Sequence, residues 1–233
     1  MEIELSERPK NPVVIEGFPG YGLIGTIVTE FLIKHLNARQ IGKIIVPEVT
    51  PVVAVHNNQA VDPLGVFYDK KNNIVIIHAL TTVVGLEWKL GEKVAELAKL
   101  MKAKEVLCIE GVGNPALEGE PRTFYMGKNK KLTTIKGIKR LDEGIIMGVT
   151  GALLLRNDIN VNCIFAETHS QLPDSRAAAK IVAAVDQYLG LKVDYKPLLQ
   201  QATQFEEKLK DLVSRSKDSI GQRPQKTPQV YFG

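Results

Sequence analysis

Cysteine is scarce in this 233-residue sequence, which contains only Cys108 and Cys163. Each lies inside an apolar run typical of a β-strand, where a free thiol behaves as a small hydrophobic side chain. Two isolated cysteines exclude a disulfide framework and lack the spacing of a cysteine zinc site. We therefore expect a reducing compartment, no metal site, and two cysteines that belong to the core.

Long apolar runs and an excess of one charge are also missing. The longest runs, at residues 74–80 and 149–155, are much shorter than the ~20 residues that span a bilayer, and the first residues lack the basic segment of a signal peptide. Thirty Lys and Arg against 26 Asp and Glu give a net charge of +4, spread too evenly for a nucleic-acid-binding surface. We expect a soluble, cytoplasmic protein that binds neither membranes nor nucleic acid.

The remaining composition fits a globular α/β domain, because 44% hydrophobic and 24% charged residues allow a substantial core. Short β-branched runs alternate with segments in which apolar residues recur at helical spacing. These patterns predict strands at residues 11–16, 41–46, 52–56, 65–68, 74–79, 105–110 and 161–167, and helices at 23–36, 86–101, 145–157, 174–189 and 197–216. The first strand, helix and strand form a predicted β-α-β unit, and a meander of antiparallel strands follows it.

We predict one domain, residues 1–216, followed by a flexible tail at residues 217–233. The domain contains a segment rich in glycine and charge at residues 111–143, for which we predict an inserted hairpin. Its last helix, at 197–216, has one apolar face that docks on its own domain or on a partner. The tail is polar and interrupted by Pro224 and Pro228.

A glycine motif lies between the first predicted strand and helix. The run Gly20-Tyr21-Gly22-Leu23-Ile24-Gly25 matches the G-x-G-x-x-G pattern of dinucleotide-binding folds. Pro19 precedes it, and bulky residues stand where the backbone would approach a pyrophosphate. We therefore favour a packing role, in which Gly20, Gly22 and Gly25 allow positive φ angles and a close helix–strand contact. Binding of a dinucleotide, a phosphate or a peptide terminus at the helix N-terminus is the alternative.

Three glutamates and a histidine stand at the ends of predicted strands: Glu16, Glu110, Glu167 and His169. The carboxyl ends of parallel strands form the edge where α/β proteins bind ligands. One hypothesis is therefore a small-molecule hydrolase or phosphorylase that uses Glu16, Glu110 and His169 for acid–base catalysis. The other is structural, with strand-end glutamates that accept bonds from loop N–H groups or pair with Arg122 or Arg176.

Three segments resemble the archaeal branch of the proteasome assembly chaperone family: residues 16–25 (EGFPGYGLIG), residues 110–113 (EGVG), and residues 167–169 (ETH) with Pro173-Asp174. The resemblance covers about residues 12–189, and the long C-terminal helix is typical as well. It implies a three-layer, Rossmann-like α/β domain, a mixed sheet flanked by helices, related in shape to nucleoside phosphorylases and peptidyl hydrolases. It also implies a homo-oligomer that binds proteins, is not an enzyme and needs no cofactor.

The resemblance gives the tail a role. Family members that engage the core proteasome end in a hydrophobic residue, a tyrosine and any residue, and this motif enters pockets between α-ring subunits. Val230, Tyr231 and Phe232 fit the motif, and Gly233 follows them. We expect these three residues to bind a partner, either proteasome subunits or another protein complex, for which the protein acts as an assembly chaperone or scaffold.

Overall fold

The fold is that of a computed structural model, which describes residues 1–48, 53–56, 58–80, 84–114, 116–169 and 172–200, with the backbone alone at residues 54–56 and 59. The helix predicted at 197–216 is described as far as residue 200, and residues 196–200 are helical. The rest of that helix and the predicted tail at 217–233, with its motif at 230–232, lie outside the described residues.

The described residues form eleven strands, nine of which make one mixed sheet. The strands are β1 (Glu2–Leu5), β2 (Val13–Gly17), β3 (Arg39–Ile45), β4 (Ala54–His56), β5 (Gln59–Val61), β6 (Leu64–Asp69), β7 (Ile74–Ala79), β8 (Glu105–Gly113), β9 (Thr123–Gly127), β10 (Ile138–Arg140) and β11 (Val161–Thr168). Across the sheet their order is β1-β3-β6-β7-β2-β8-β11-β9-β10, and β4 and β5 pair separately.

The four central strands, β7, β2, β8 and β11, are parallel. They consist of nearly continuous buried runs, because helices cover the sheet on both faces. Glu16, Glu110 and Glu167 all lie toward the carboxyl ends of these strands. The parallel pairing therefore places the three glutamates at one edge of the sheet.

Four helices of seven or more residues lie within the described residues: α1 (Ile24–His35), α2 (Glu87–Leu100), α3 (Gly148–Leu154) and α4 (Ser175–Leu189). The residues of α1 and α4 share an apolar cluster on one side of the sheet, which includes Val28 and Ile181. Those of α2 and α3 share a second cluster, which includes Val94 and Leu153. This arrangement confirms the predicted three-layer α/β fold with a mixed sheet flanked by helices.

The helix limits differ most at α3, which is shorter than the predicted helix at 145–157. Gly148 has a φ angle of 72°, so the backbone before it does not continue the helix. At α4 the helix predicted over 174–189 is confirmed. The side chain of Asp174 accepts a hydrogen bond from the backbone N–H of Ala177 at 2.9 Å and caps the helix. Among the described residues, no helix is long and apolar enough to cross a membrane.

The predicted β-α-β unit is present, but its strands are not neighbours. β3 runs parallel to β2 in the same sheet, with β6 and β7 between them. The predicted meander is wrong for β4, which pairs with β5 outside the main sheet. β6 and β7 form the expected hairpin, and the carboxyl group of Asp69 accepts the backbone N–H of Lys71 at 3.0 Å in its turn.

The prediction of an inserted hairpin at residues 111–143 is wrong. Its two strands, β9 and β10, pair in parallel, and β9 adds antiparallel to β11. A tight hairpin turn cannot connect parallel strands. The connection instead crosses the α4 side of the sheet through a 3-10 turn, where Leu132 and Ile135 are buried in the cluster of α1 and α4. The segment therefore extends the sheet by two strands.

The two cysteines belong to the core, as predicted. Cys108 in β8 and Cys163 in β11 are paired in register and fully buried, and both are free thiols.

Candidate functional site

The turn after β2 packs tightly against β8, and glycine makes that contact possible. A Cβ atom at Gly20 would lie 2.1 Å from Glu110 Oε1, and one at Gly25 would lie 2.8 Å from the carbonyl oxygen of Ile109. Gly22 has a φ angle of 64°, a left-handed conformation that costs other residues about 1–2 kcal/mol. All three glycines of the motif are therefore required by packing or by backbone geometry.

The same turn is tied to β11 and to the start of α4. The backbone N–H of Asp174 donates to the carbonyl oxygen of Gly22 at 2.9 Å, and the Thr168 hydroxyl donates to Asp174 Oδ2 at 2.9 Å. The space beside Gly22 is thus taken by Thr168 and Asp174. These contacts favour the packing interpretation of the motif over a dinucleotide site.

Two of the three strand-end glutamates meet at one hydroxyl group. Thr150 Oγ1 in α3 lies 3.1 Å from Glu16 Oε1 and 3.3 Å from Glu110 Oε2. A hydroxyl group carries one hydrogen and donates it to only one of these oxygens. The second contact is a hydrogen bond only when its carboxyl group is protonated and donates to Thr150. We refer to Glu16 and Glu110 as the carboxyl pair.

Burial favours the protonated form of both members of the carboxyl pair. It raises the pKa of Glu16 to about 7, against weaker opposing contacts with Cys108 and Thr150. It also raises the pKa of Glu110 to about 8, and the nearby charge of Glu16 adds to this effect. Both shifts favour a pair that holds a proton at neutral pH, and a protonated carboxyl group would make both contacts of Thr150 hydrogen bonds.

Glu167 has a different role and pairs with Arg122. The guanidinium group donates from Nε to Glu167 Oε2 at 2.7 Å and from Nη2 to Oε1 at 2.5 Å, and Asn114 Nδ2 donates to Oε1 at 3.1 Å. The pKa of Glu167 is lowered mainly by its hydrogen bonds with the Arg122 side chain. The structural hypothesis is thus right for this residue, which fastens the segment before β9 to the end of β11.

The structure does not join His169 to the carboxyl pair. His169 is exposed just after β11. Within the described part of the chain, it makes no hydrogen bond with Glu16 or Glu110. Of the three residues predicted for catalysis, the structure therefore brings together only Glu16 and Glu110.

A threonine and a histidine that could form a nucleophile and base occur elsewhere, between α1 and β7. Thr29 Oγ1 lies 2.8 Å from His78 Nδ1, but Thr29 is 0% and His78 4% exposed. The Thr29 hydroxyl donates its single hydrogen to the carbonyl oxygen of Gly25 at 2.8 Å. Its oxygen therefore accepts the hydrogen bond from His78 Nδ1–H. Burial lowers the pKa of His78, in keeping with a neutral ring. This contact fastens α1 to the sheet.

Thr150 is the site residue that sequence analysis missed. It lies in a segment predicted as an ordinary helix, and no motif near it points to the carboxyl pair. Only the fold brings α3 to the edge where β2 and β8 end. The deep burial of the hydroxyl, with Thr150 at 1% exposure, marks the contact as part of the interior.

Comparison with known proteins decides the family. The profile of the PAC2 family matches residues 14–213. The chain belongs to the PAC2 family. The matched range begins in β2 and therefore contains the glycine turn, the carboxyl pair and α4.

Solved structures of two Pyrococcus furiosus proteins are similar to this PAC2 chain over nearly its whole length. PbaA, an archaeal homolog of proteasome-assembly chaperone, has a TM-score of 0.82 and 29% identity over 94% of both chains. PbaB, an archaeal proteasome activator, has a TM-score of 0.78 and 25% identity over 91% of this chain and 98% of its own. They confirm the resemblance to archaeal homologues of proteasome assembly chaperones.

An uncharacterized protein of Methanocaldococcus jannaschii is also similar. It is 25% identical over 213 residues, which make up 88% of this chain and 87% of the relative.

Proposed function

We propose that this PAC2-family protein is a non-catalytic assembly chaperone or scaffold for the proteasome or a related complex. The similarity to PbaA carries the proposal, because it spans 94% of both chains at 29% identity. PbaB, whose structure is that of an archaeal proteasome activator, supports the same class of partner.

The geometry of the strand ends supports a binding role over a catalytic one. The carboxyl pair contacts the glycine turn and Thr150, and Glu167 contacts Arg122. These groups connect the turn, α3 and the segment before β9 to the central strands. Among the described residues, Glu16 Oε2 is a buried oxygen without a hydrogen-bond partner. The other carboxyl oxygens of these groups accept or share hydrogen bonds inside the fold, which leaves the outer surfaces of the domain for recognition.

We also propose that copies of the protein associate with one another, and that Val230, Tyr231 and Phe232 anchor the assembly to its partner. An aromatic side chain inserted in a pocket can contribute about 2 kcal/mol or more to binding. The polar segment before this motif, which is interrupted by Pro224 and Pro228, would carry the motif away from the domain.

Binding of the full chain to the proteasome core particle of the same organism tests this proposal. Tyr231→Ala should weaken binding about tenfold or more, measured by sedimentation of labelled protein with the particle. Tyr195→Ala is the matched control, because Tyr195 is 39% exposed and belongs to the domain. Equal binding by the parent protein and Tyr231→Ala would remove the tail from the proposal and assign recognition to the folded surface.

One observation favours a second function, hydrolysis or phosphorolysis of a small molecule. Carboxyl groups with pKa values of about 7 and 8 at the carboxyl edge of a parallel sheet are typical of acid–base catalysts. Glu16 is 0% exposed, however, so a substrate would have to reach the pair through Glu110.

A further inference from the structure

An apolar groove of about 530 Å³ lies beside the first turn of α2 and along α3. Its lining is mostly apolar and includes these side chains: Trp88, Met126, Leu141, Met147, Leu154 and Leu155. Trp88 and Leu155 are both 69% exposed, and Met147 is 63% exposed. Large apolar side chains that are gathered at one exposed place, rather than scattered singly, mark sites of protein association.

The shape of the groove suits a polypeptide better than a small molecule. Ala152 lines the groove and is buried, whereas the large side chains of Trp88 and Leu155 stay exposed. Ile145, next to the lining residue Ile146, is 87% exposed and extends the apolar surface beyond the groove. Sites for small molecules enclose most of the ligand surface. A protein segment that lies along this open groove could cover it, and a small ligand could not.

The residue types of the lining are those of an adaptable protein-binding surface. Tryptophan is enriched among the residues that contribute most to protein binding. Met126 and Met147 have flexible, unbranched side chains, which are frequent at surfaces that accept several different sequences. The groove can therefore fit apolar side chains of varied shape around Trp88.

The rim of the groove is acidic. Glu87, Asp142 and Glu143 are among its described lining residues, and none of those residues is lysine or arginine. Arg140 donates to Asp142 Oδ1 at 2.7 Å and offsets one of the three charges. Glu87 accepts only the neutral backbone N–H of Gly85, at 3.1 Å. Within the part of the chain that the structure describes, neither Glu87 nor Glu143 forms an ion pair.

We propose that this groove binds a basic amphipathic helix of the partner protein. Its apolar face lies against Trp88 and Leu155, and its Lys or Arg side chains lie against Glu87 and Glu143. Charge complementarity selects this occupant, because an acidic apolar segment would bring like charges together at the rim. An apolar groove between helices is also a common receptor for the apolar face of an amphipathic helix. The groove is then the surface with which the folded domain holds the partner in the proposed function, on which this assignment rests.

The single tryptophan of the sequence reports on the groove, because Trp88 lines it. The experiment titrates the full chain with a tryptophan-free helical peptide of leucine and lysine. A second peptide has glutamate in place of every lysine. The leucine–lysine peptide should shift the Trp88 emission to shorter wavelength and reduce its quenching by acrylamide. The leucine–glutamate peptide should bind about tenfold more weakly or worse.

Charge reversal tests the role of the rim. The variant that combines Glu87→Lys with Glu143→Lys should bind the leucine–glutamate peptide more tightly than the leucine–lysine peptide. The matched control combines Glu2→Lys with Glu118→Lys, which changes the net charge equally at exposed positions outside the lining. It should keep the parent protein's order of affinities. Circular dichroism should show the same fold for both variants.

Loss of an apolar contact tests the groove itself. Leu155→Ser should weaken binding of the leucine–lysine peptide about tenfold, measured by the fluorescence anisotropy of a labelled peptide. Leu100→Ser is the matched control, because Leu100 is 45% exposed at the other end of α2 and does not line the groove. Its affinity should equal that of the parent protein.

Four results would overturn the proposal. Equal affinities for the two peptides, or an unchanged order in the rim variant, would show that charge does not select the occupant. An unchanged Trp88 emission with both peptides would remove the groove as a docking surface. Protection of Trp88 that grows with protein concentration and mass would assign the groove to a second copy. Protection in a monomer, lost on deletion of residues 217–233, would assign it to the chain's own tail.

These titrations use no proteasome subunits, so their failure is distinguishable from failure of the proposed function. A parent protein that binds proteasome subunits but neither peptide would keep the proposed function and place recognition on another surface. That result would overturn the groove assignment alone.

Discussion

Glu16 in β2 and Glu110 in β8 meet at the hydroxyl group of Thr150, which lies 3.1 Å from the first carboxyl group and 3.3 Å from the second. This contact joins two central strands to α3. Because one hydroxyl hydrogen cannot satisfy two carboxylates, both contacts are hydrogen bonds only when one carboxyl group of the pair is protonated. The stability of the fold should therefore depend on the protonation of this pair.

Stability should decrease as pH rises through the neutral range. Burial raises the pKa of Glu16 from 4.5 to about 7, so the folded state binds this proton more tightly than the unfolded chain. The stabilisation is complete below the unfolded pKa and is lost as pH rises through the folded pKa. For Glu16 alone, we expect the free energy of unfolding to fall by on the order of 3 kcal/mol between about pH 5 and pH 9, measured by urea denaturation.

Glu16→Gln should remove most of this dependence, because an amide keeps the shape of a neutral carboxyl group. Glu118→Gln, at an exposed position, is the control and should leave the pH profile unchanged. If Glu16→Gln retained the full decrease between about pH 5 and pH 9, another group would be its cause.

Gly20→Ala should destabilise the fold by about 1–3 kcal/mol, because the new methyl group would lie 2.1 Å from Glu110 Oε1. Gly144→Ala is the matched control. Its methyl group would have ordinary contacts of 3.5 Å and more, so thermal or urea unfolding should change by less than about 0.5 kcal/mol.

The cause of that destabilisation can be isolated with a double-mutant cycle. Glu110→Ala removes the carboxyl group that the alanine at position 20 would meet, so Gly20→Ala should cost less in this background. Strictly additive effects would show that the turn tolerates the methyl group in another way.

Arg122→Met should destabilise the fold measurably, because it leaves the buried carboxylate of Glu167 without its charged partner. The Glu167 side chain is 6% exposed, whereas Arg140 and Asp142, which also form an ion pair, are 73% and 66% exposed. Arg140→Met should therefore change stability much less, because solvent screens an exposed ion pair. Equal losses in urea denaturation would contradict the anchoring role of Arg122.

Much of the central fold could be predicted from sequence, because buried parallel strands and amphipathic helices have strong periodic patterns. The helix over 174–189 is an example, and so are the strands that carry Cys108 and Cys163. β1, β5 and β10 have three or four residues each and include exposed positions, so they leave little hydrophobic signal. The pairing of β1 with β3 and of β10 with β9 is decided by tertiary contacts.

The candidate site was predictable in part for the same reason. Parallel strands place Glu16, Glu110 and Glu167 at one edge, and this follows from the strand pattern. The hydrogen-bond partners of these glutamates do not follow from the strand pattern, since Glu110 contacts Thr150 whereas Glu167 contacts Arg122. Side-chain partners across a sheet edge depend on loop paths that local sequence does not encode.

The absence of catalysis is itself a prediction of the proposed function. We expect no hydrolysis of peptide or ester substrates and no phosphorolysis of nucleosides above the uncatalysed rate. A robust rate in the parent protein that Glu110→Gln abolishes, with unfolding unchanged, would establish the enzymatic alternative.

Assembly of the proteasome core particle from separately purified α and β subunits tests the central claim most directly. The subunits should come from the same organism as this chain, and native mass spectrometry should follow the particles formed over time. The proposed function predicts that the parent protein, at stoichiometric amounts, binds subunits or intermediates and increases the rate or yield of complete particles. Unchanged assembly, with no subunit bound to the protein at any stage, would contradict it.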